Sequence, residues 1–317
     1  MKKISDSKVK TINDIAVYVK KHDLGKSYRS IPFSKLTTLR MGGIIELLYF
    51  PNNIDSFIKV IKIIRKNNIK YFLIGNGSNV FANDKYYDGV VINLKEIDFT
   101  YELKNEYVKV SAGMSMAKLI FNLMKYDIGG LEFLVGIPGS IGGIIYMNAG
   151  AYGHNVSEYI LELKVLDKDN NVRVLKRKDL NFSYRSSTIK EEGMIVLEAK
   201  LKVESKKKEL IKEEIKLYLK NRKENQPLDH FNAGCTFKNG EISSWKLIDE
   251  IGYRGYRVGD AGVSEKHSNF LINYGNASSL DMLHLIEILK YKVKEEKKID
   301  LECEWIFVNF DLEENVV

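Results

Sequence analysis

Apolar positions recur along the chain at two periods, and the switches between them lay out the elements. Ile12, Ile15, Ala16 and Val19 fall on one face of a helix, and the polar stretch after them reads as a connector. Residues 44–50 form a strand candidate stopped by Pro51-Asn52-Asn53. Phe57, Val60, Ile61 and Ile64 then mark an amphipathic helix over 54–66. Short apolar runs at 71–74, 89–94 and 108–112 read as strands. Leu119, Ile120 and Leu123 give a helix over 115–125. The runs 160–166, 172–175 and 194–203, separated by turn residues, read as antiparallel strands. Composition breaks at 205–208. Beyond it lie a charged helix over 209–223, with Ile211, Ile215, Tyr218 and Leu219 on its apolar side, and Pro227 to end it. A helix at 244–251, a strand at 269–274, a helix at 280–292 and a last strand at 301–308 follow. The order is too irregular for a βαβ series, so a boundary near residue 205 with two lobes before it is the expected organisation.

With 317 residues, 44% of them hydrophobic, the chain can fill two or three packed domains. Cys235 and Cys303, the two cysteines, cannot make a disulfide framework, so a reducing compartment is expected. Residues 1–10 are basic without an apolar run behind them, and no stretch approaches the roughly 18 apolar residues of a membrane span. A cytoplasmic protein is expected. The net charge of +7 comes from scattered lysines whose densest runs sit beside glutamates, the pattern of solvated helix faces. No one-sign stripe interleaved with aromatics points to nucleic acid. A modest positive field suits a polyanionic small molecule. His22, His154, His230 and His284 lack metal-ligand spacing, and no metal is expected.

Two glycine segments carry the candidate chemistry. Gly75-Asn76-Gly77-Ser78-Asn79 follows a strand and resembles a phosphate-binding turn, in which glycines admit an anion to the main chain. It is not a dinucleotide fingerprint, because Val80 stands at the third glycine position and no amphipathic helix follows. A plain β-turn is the competing reading. Nor is there a P-loop, since Lys20 stands where that motif needs its first glycine before Gly25-Lys26-Ser27. The second segment runs Gly136-Ile137-Pro138-Gly139-Ser140-Ile141-Gly142-Gly143 and then Asn148-Ala149-Gly150-Ala151-Tyr152-Gly153. It reads as a poor helix and a poor strand. Two such loops suit a long, rigid cofactor with a central pyrophosphate, against the alternative of a tightly packed loop without ligand.

At this point the chain resembles the UDP-N-acetylenolpyruvoylglucosamine reductase family, from about Ser34 to Val308. Seven segments carry the likeness in order: residues 37–43, the two glycine segments, Asn181-Phe182-Ser183-Tyr184-Arg185-Ser186-Ser187, Ala233-Gly234-Cys235-Thr236-Phe237-Lys238-Asn239, Val263-Ser264-Glu265-Lys266-His267, and Leu301-Glu302-Cys303-Glu304. The resemblance implies an α+β fold: an N-terminal helix and connector (1–33), a two-lobed FAD-binding domain of the vanillyl-alcohol-oxidase type (34–205), and a smaller α+β substrate-binding domain (206–317). The implied cofactor residues are Arg40, Gly75, Asn76, Gly77, Ser78, Asn79, Pro138, Gly139, Ser140, Gly143, Asn148, Gly150, Ala151 and Tyr152. Flavins of this fold are often tethered through a histidine near the first glycine loop. Residues 75–79 hold none, so noncovalent FAD is expected.

In that family NADPH reduces the flavin, which passes hydride to the vinyl CH2 of a UDP-sugar enolpyruvyl ether, giving UDP-N-acetylmuramate for peptidoglycan. The protein must stabilise an enolate and supply a proton. Arg185 matches the family's catalytic arginine, and its planar fork suits a carboxylate. Glu304, read here as sharing a strand face with Glu302 while Cys303 points away, would orient the substrate carboxyl or stabilise the enolate as a protonated partner. Cys235 stands where many members carry a proton-donating serine. A thiol, with an ordinary pKa of about 8.5, remains able to protonate an enolate. Tyr184, Gln226, Lys238 and Asn239 are substrate-contact candidates, and His267 either touches substrate or closes a loop. A monomer is expected. Two other readings stay open: another FAD oxidoreductase of this fold, such as a sugar or hydroxy-acid oxidase, and a noncatalytic nucleotide- or nucleic-acid-binding protein using the +7 charge.

Overall fold

A computed structural model describes residues 9–97, 102–104 and 106–311. It divides into two compact units that interleave along the chain. One comprises the chain up to Arg29, Glu46–Asn76 and Asp88–Lys220; the other comprises Ser30–Ile45, Gly77–Tyr87 and the chain from Asn221.

The first unit holds two sheets. In the smaller, the spatial order is Gly25–Pro32, Ile44–Pro51, Tyr87–Ile92 and Tyr71–Leu73, the last two parallel. Helices Ile12–Lys21 and Ile54–Lys66 share its core through Val19, Phe57, Ile61, Leu47 and Tyr49. Asn53 starts the second helix by accepting from the Ser56 amide at 2.8 Å, and Arg65 and Lys66 close it at the negative end of its dipole. Arg65 then donates to the Tyr71 hydroxyl, the Asp167 carbonyl and the Asn170 side chain, which fastens the turn between two strands of the larger sheet. That sheet is five-stranded and antiparallel, in the order Val172–Lys176, Ile160–Leu166, Ile195–Lys202, Tyr107–Ser111 and Glu102–Leu103. Helices Met116–Leu123 and Ile141–Tyr146 bury Leu119, Ile120, Ile141, Ile144 and Ile145 with Leu163 and Val165. Each such side chain taken from water contributes about 1.5–3 kcal/mol.

In the second unit the strands run Phe231–Cys235, Phe270–Asn273, Ala261–Val263 and Arg257–Val258. Helices Ser244–Glu250 and Ser279–Lys297 bury Leu247, Ile248, Met282, Leu285, Ile286 and Leu289 with Leu271 of the sheet. Leu39, Met41 and Phe81 join this core from the distant N-terminal stretches. Strand Val80–Ala82 runs parallel to Ile306–Val308. No helix among the described residues is long and apolar enough to cross a membrane.

Four local expectations need correction. The polar connector after the first helix is the strand Gly25–Pro32; its half-exposed pattern hides the period that a buried strand would show. Residues 80–88 hold the strand Val80–Ala82, too short to register as a pattern. The glycine-rich segment contains the helix Ile141–Tyr146. Its start is capped by Ser140, and a Cβ on Gly142 would lie 3.1 Å from the Ala112 Cβ, so a small residue lets the helix lie on the sheet. The final strand is only Ile306–Val308; residues 301–305 lie outside it and carry one isolated bridge, Phe237 to Cys303.

Phe81 packs edge-on or tilted against Trp305, Phe307 and Phe310, with centroids 5.8, 5.2 and 4.7 Å away. Phe81→Ala is expected to lower the unfolding free energy by about 3–5 kcal/mol, measured by urea denaturation followed by tryptophan fluorescence.

Candidate functional site

Within the first unit the two glycine segments meet. A Cβ on Gly75 would lie 2.4 Å from the Ser140 Oγ, and the Gly75 carbonyl accepts from the Asn93 side chain at 2.9 Å. Gly75 is therefore glycine because the loops approach this closely, while Asn76, Pro138 and Gly143 stay exposed beside the contact. Tyr152 and Gly153, both at positive φ, form the turn between Gly150–Ala151 and His154–Asn155. The Tyr152 ring lies 4.3 Å from that of Tyr218, and its hydroxyl donates to the Tyr218 carbonyl.

Asn148 joins this cradle to the arginine segment. It adopts φ 42° and is buried, and its Nδ2 donates to the Ser183 carbonyl at 2.9 Å. Its Oδ1 is buried with no hydrogen-bond partner among the described residues. Ser183 opens the hairpin Phe182–Ser183 to Ser186–Ser187, with Tyr184 and Arg185 at the turn. Ser187 fixes the other arm, donating to the Tyr146 carbonyl at 2.9 Å. The hairpin is thus bolted to the end of the glycine helix. Arg185 holds φ 57°, with its guanidinium 5.1 Å from the Tyr184 ring centre. A left-handed arginine costs about 1–2 kcal/mol, an expense in keeping with a side chain that must be placed.

The second unit gathers the remaining candidates around the strand Phe231–Cys235. Gly77 has φ 66°, and a Cβ there would fall 2.0 Å from the Leu36 carbonyl; only glycine fits. Its own carbonyl accepts from the Thr38 amide at 3.1 Å. Arg40, at φ 57°, sets its guanidinium 5.7 Å from the Phe231 ring centre. Asn79 donates through Nδ2 to the Glu304 carbonyl at 3.2 Å. Glu304 in turn donates its amide to the Thr236 carbonyl at 2.8 Å, and the Lys238 amide donates to the Glu302 carbonyl at 2.8 Å. Cys235 and Glu304 therefore lie on neighbouring backbones. Burial alternates through Glu302 (exposed), Cys303 (buried) and Glu304 (half-buried) although no continuous strand forms.

Other candidates already hold protein partners. Lys238 pairs with the Glu302 carboxylate, and Asn239 Oδ1 accepts from the Ser244 amide at 3.0 Å. Gln226, half-buried, has a buried Oε1 without a hydrogen-bond partner among the described residues. His267 Nδ1 accepts from the Asn269 amide at 3.3 Å, and its ring stands edge-on to Phe270. Burial, aided by the Arg254 charge, pushes the His267 pKa below its ordinary 6.5. Asn232 and Thr38, absent from the sequence candidates, bind each other: the Thr38 hydroxyl donates to the Asn232 carbonyl at 2.7 Å. An asparagine inside a strand reads as a turn signal, and nothing in the residue pattern marks it for the site.

The glycine contacts are made with protein atoms, and it is the orphaned Asn148 acceptor that fits a cofactor bringing its own N–H donors. Residues 45–176 match an FAD-binding domain, and residues 226–308 match the UDP-N-acetylenolpyruvoylglucosamine reductase C-terminal domain. The chain is 38% identical over 278 residues to the UDP-N-acetylenolpyruvoylglucosamine reductase of Caldanaerobacter subterraneus subsp. tengcongensis, covering 87% of this chain and 92% of that one. It is 36% identical over 288 residues to the Bacillus subtilis enzyme of the same name, covering 90% and 95%. The crystal structure of the Thermus caldophilus reductase superposes with a TM-score of 0.77 at 33% identity, covering 90% of this chain and 99% of that one.

Two outcomes are expected from this geometry. Burial raises the Cys303 pKa to about 11, whereas Cys235 is half-exposed. Iodoacetamide at pH 8 should modify Cys235 and spare Cys303 in the folded protein, as read by peptide mass spectrometry. Because His267 is held neutral, the unfolded chain binds more protons below pH 6.5. Its contribution is complete above 6.5 and declines as pH falls toward its lower folded value. Urea midpoints should drop across that window, and His267→Gln should flatten the drop.

Proposed function

The chain belongs to the UDP-N-acetylenolpyruvoylglucosamine reductase family and is an FAD-binding oxidoreductase of peptidoglycan precursor synthesis, and from that premise we propose which of its residues perform the reduction. FAD, when bound, would supply the two-electron hydride chemistry that links NADPH oxidation to reduction of the vinyl carbon of the UDP-sugar enolpyruvate. The flavin is held noncovalently by the loops at 75–79 and 136–153 together with Arg40. In this reading residues 34–205 form the flavin domain and 206–317 the substrate domain, and the protein acts as a cytoplasmic monomer.

Arg185 clamps the substrate carboxylate and stays charged as the enolate develops. Cys235 donates its thiol proton to the enolate carbon, and Glu304 stabilises the enolate oxygens in its protonated form. Tyr184, Gln226, Lys238, Asn239 and His267 contact the sugar nucleotide; Lys238 exchanges Glu302 for a phosphate. One observation carries the assignment: the Glu304 amide bonds the carbonyl of the residue after Cys235, so the acid and its carboxyl partner share one backbone frame.

Anaerobic NADPH reduction followed by the enolpyruvyl substrate tests it. Cys235→Ala should bleach the flavin at the parent rate and then reoxidise about 10²–10⁴-fold more slowly, the usual contribution of a general acid. Cys235→Ser should retain turnover. Reoxidation of the alanine variant at the parent rate would remove Cys235 from the mechanism. Flavin reduction by a simple sugar or hydroxy acid, rather than NADPH, would point to the oxidase reading.

A further inference from the structure

The strand that carries Cys235 is one residue out of step with its partner. Asn232 pairs with Ile272 and Cys235 with Phe270, so Ala233 and Gly234 together face Leu271. This is a β-bulge, with Gly234 at φ 79°. The Leu271 amide turns instead to the Thr236 hydroxyl at 3.3 Å.

The extra residue decides which way the thiol points. Side chains two apart on a regular strand share a face. Ala233 is buried in the core, so an unbroken strand would bury residue 235 beside it. With the bulge, Ala233 and Thr236 face inward and Cys235 emerges half-exposed.

Asn232 holds the bulge through every polar atom of its side chain. Its Oδ1 accepts from the Gly234 amide at 3.0 Å. Its Nδ2 donates to the carbonyls of Pro227 at 3.0 Å and His230 at 2.9 Å. The Thr38 hydroxyl secures its carbonyl. The Gly234 amide, which the bulge takes out of the ladder, thus gets a partner only two residues away. The geometry points to Asn232 as a positioning residue for the proton-donating step: it stabilises the bulge that turns the Cys235 thiol out of the core. This rests on the assignment of Cys235 as the acid.

Asn232→Ala tests it from the side chain and Gly234→Ala from the backbone. A Cβ at residue 234 meets no atom within 4 Å, so that variant disturbs conformation without a clash. Each should reduce its flavin with NADPH within about twofold of the parent. Each should then reoxidise with the enolpyruvyl substrate about 10–100-fold more slowly, the scale of a misplacement near 1 Å. Adding Asn232→Ala to Cys235→Ala should produce no further loss. Independently of turnover, iodoacetamide should label Cys235 at least about fivefold more slowly in both single variants, because the thiol turns inward. The inference fails if both single variants reoxidise at the parent rate, or if Asn232→Ala keeps its full effect after the thiol is gone. Loss of flavin binding in both variants also overturns it, since Asn232 would then serve folding alone. If instead Cys235→Ala itself reoxidises normally, the acid assignment falls while the labelling experiment still reads the hold of Asn232 on the thiol.

Discussion

The site depends on one short crossing of chain: residues 302–304 lie against 236–238. Glu304 is gripped through its main chain on both sides, its amide by the Thr236 carbonyl and its carbonyl by the Asn79 side chain. Phe237 and Cys303 form the bridge between them. Segments more than 60 positions apart in sequence are fixed at hydrogen-bond distance, and the first glycine loop is anchored to the same residue through Asn79. A carboxyl side chain extending from a peptide so held has little freedom beyond its own rotamers, which is the preorganisation that a charge-stabilising role requires.

Four of the candidate residues carry left-handed backbone, as do residues elsewhere in the chain such as Ser30 and Lys298. Arg40, Asn148, Tyr152 and Arg185 all hold positive φ. Asparagine tolerates that region through local hydrogen bonds; arginine and tyrosine do not, and each costs of order 1–2 kcal/mol. Their surroundings over-determine them: the hairpin of Arg185 is tied at both arms, and the turn of Tyr152 is closed by paired strands and a hydroxyl bond. Glycine at 185 would relax the turn and remove the guanidinium, so stability and chemistry pull in opposite directions there.

Where the sequence carried a long period, the structure follows it. The helix Ile54–Lys66 and the strands Ile160–Leu166 and Ile195–Lys202 lie where apolar spacing puts them, because their burial is sustained; Val172–Lys176 also lies where expected although Leu175 is its one buried residue. Gly25–Pro32 escaped because its charged, half-exposed residues mask the alternation, and Val80–Ala82 because three residues cannot establish a period. The candidate residues were legible as a set of motifs, and their geometry was not. Cys235 could be named from its neighbours, but the bulge that aims it consists of one unmatched residue, visible only once a partner strand is present to count against. Lys238 likewise matched a motif without revealing that Glu302 already occupies it.

The interleaving of the two units has a consequence for how the protein is made. Leu39, Met41 and Phe81 belong to a core whose other members lie beyond Asn221, up to Val293 on its long helix and Trp305. A ribosome adding ~5–20 residues per second needs about 10–40 s to travel from Phe81 to that helix. Throughout this interval the early apolar segments have no native cover, so the nascent chain presents a greasy, aggregation-prone intermediate. Chaperone capture during translation would act on those two N-terminal stretches first.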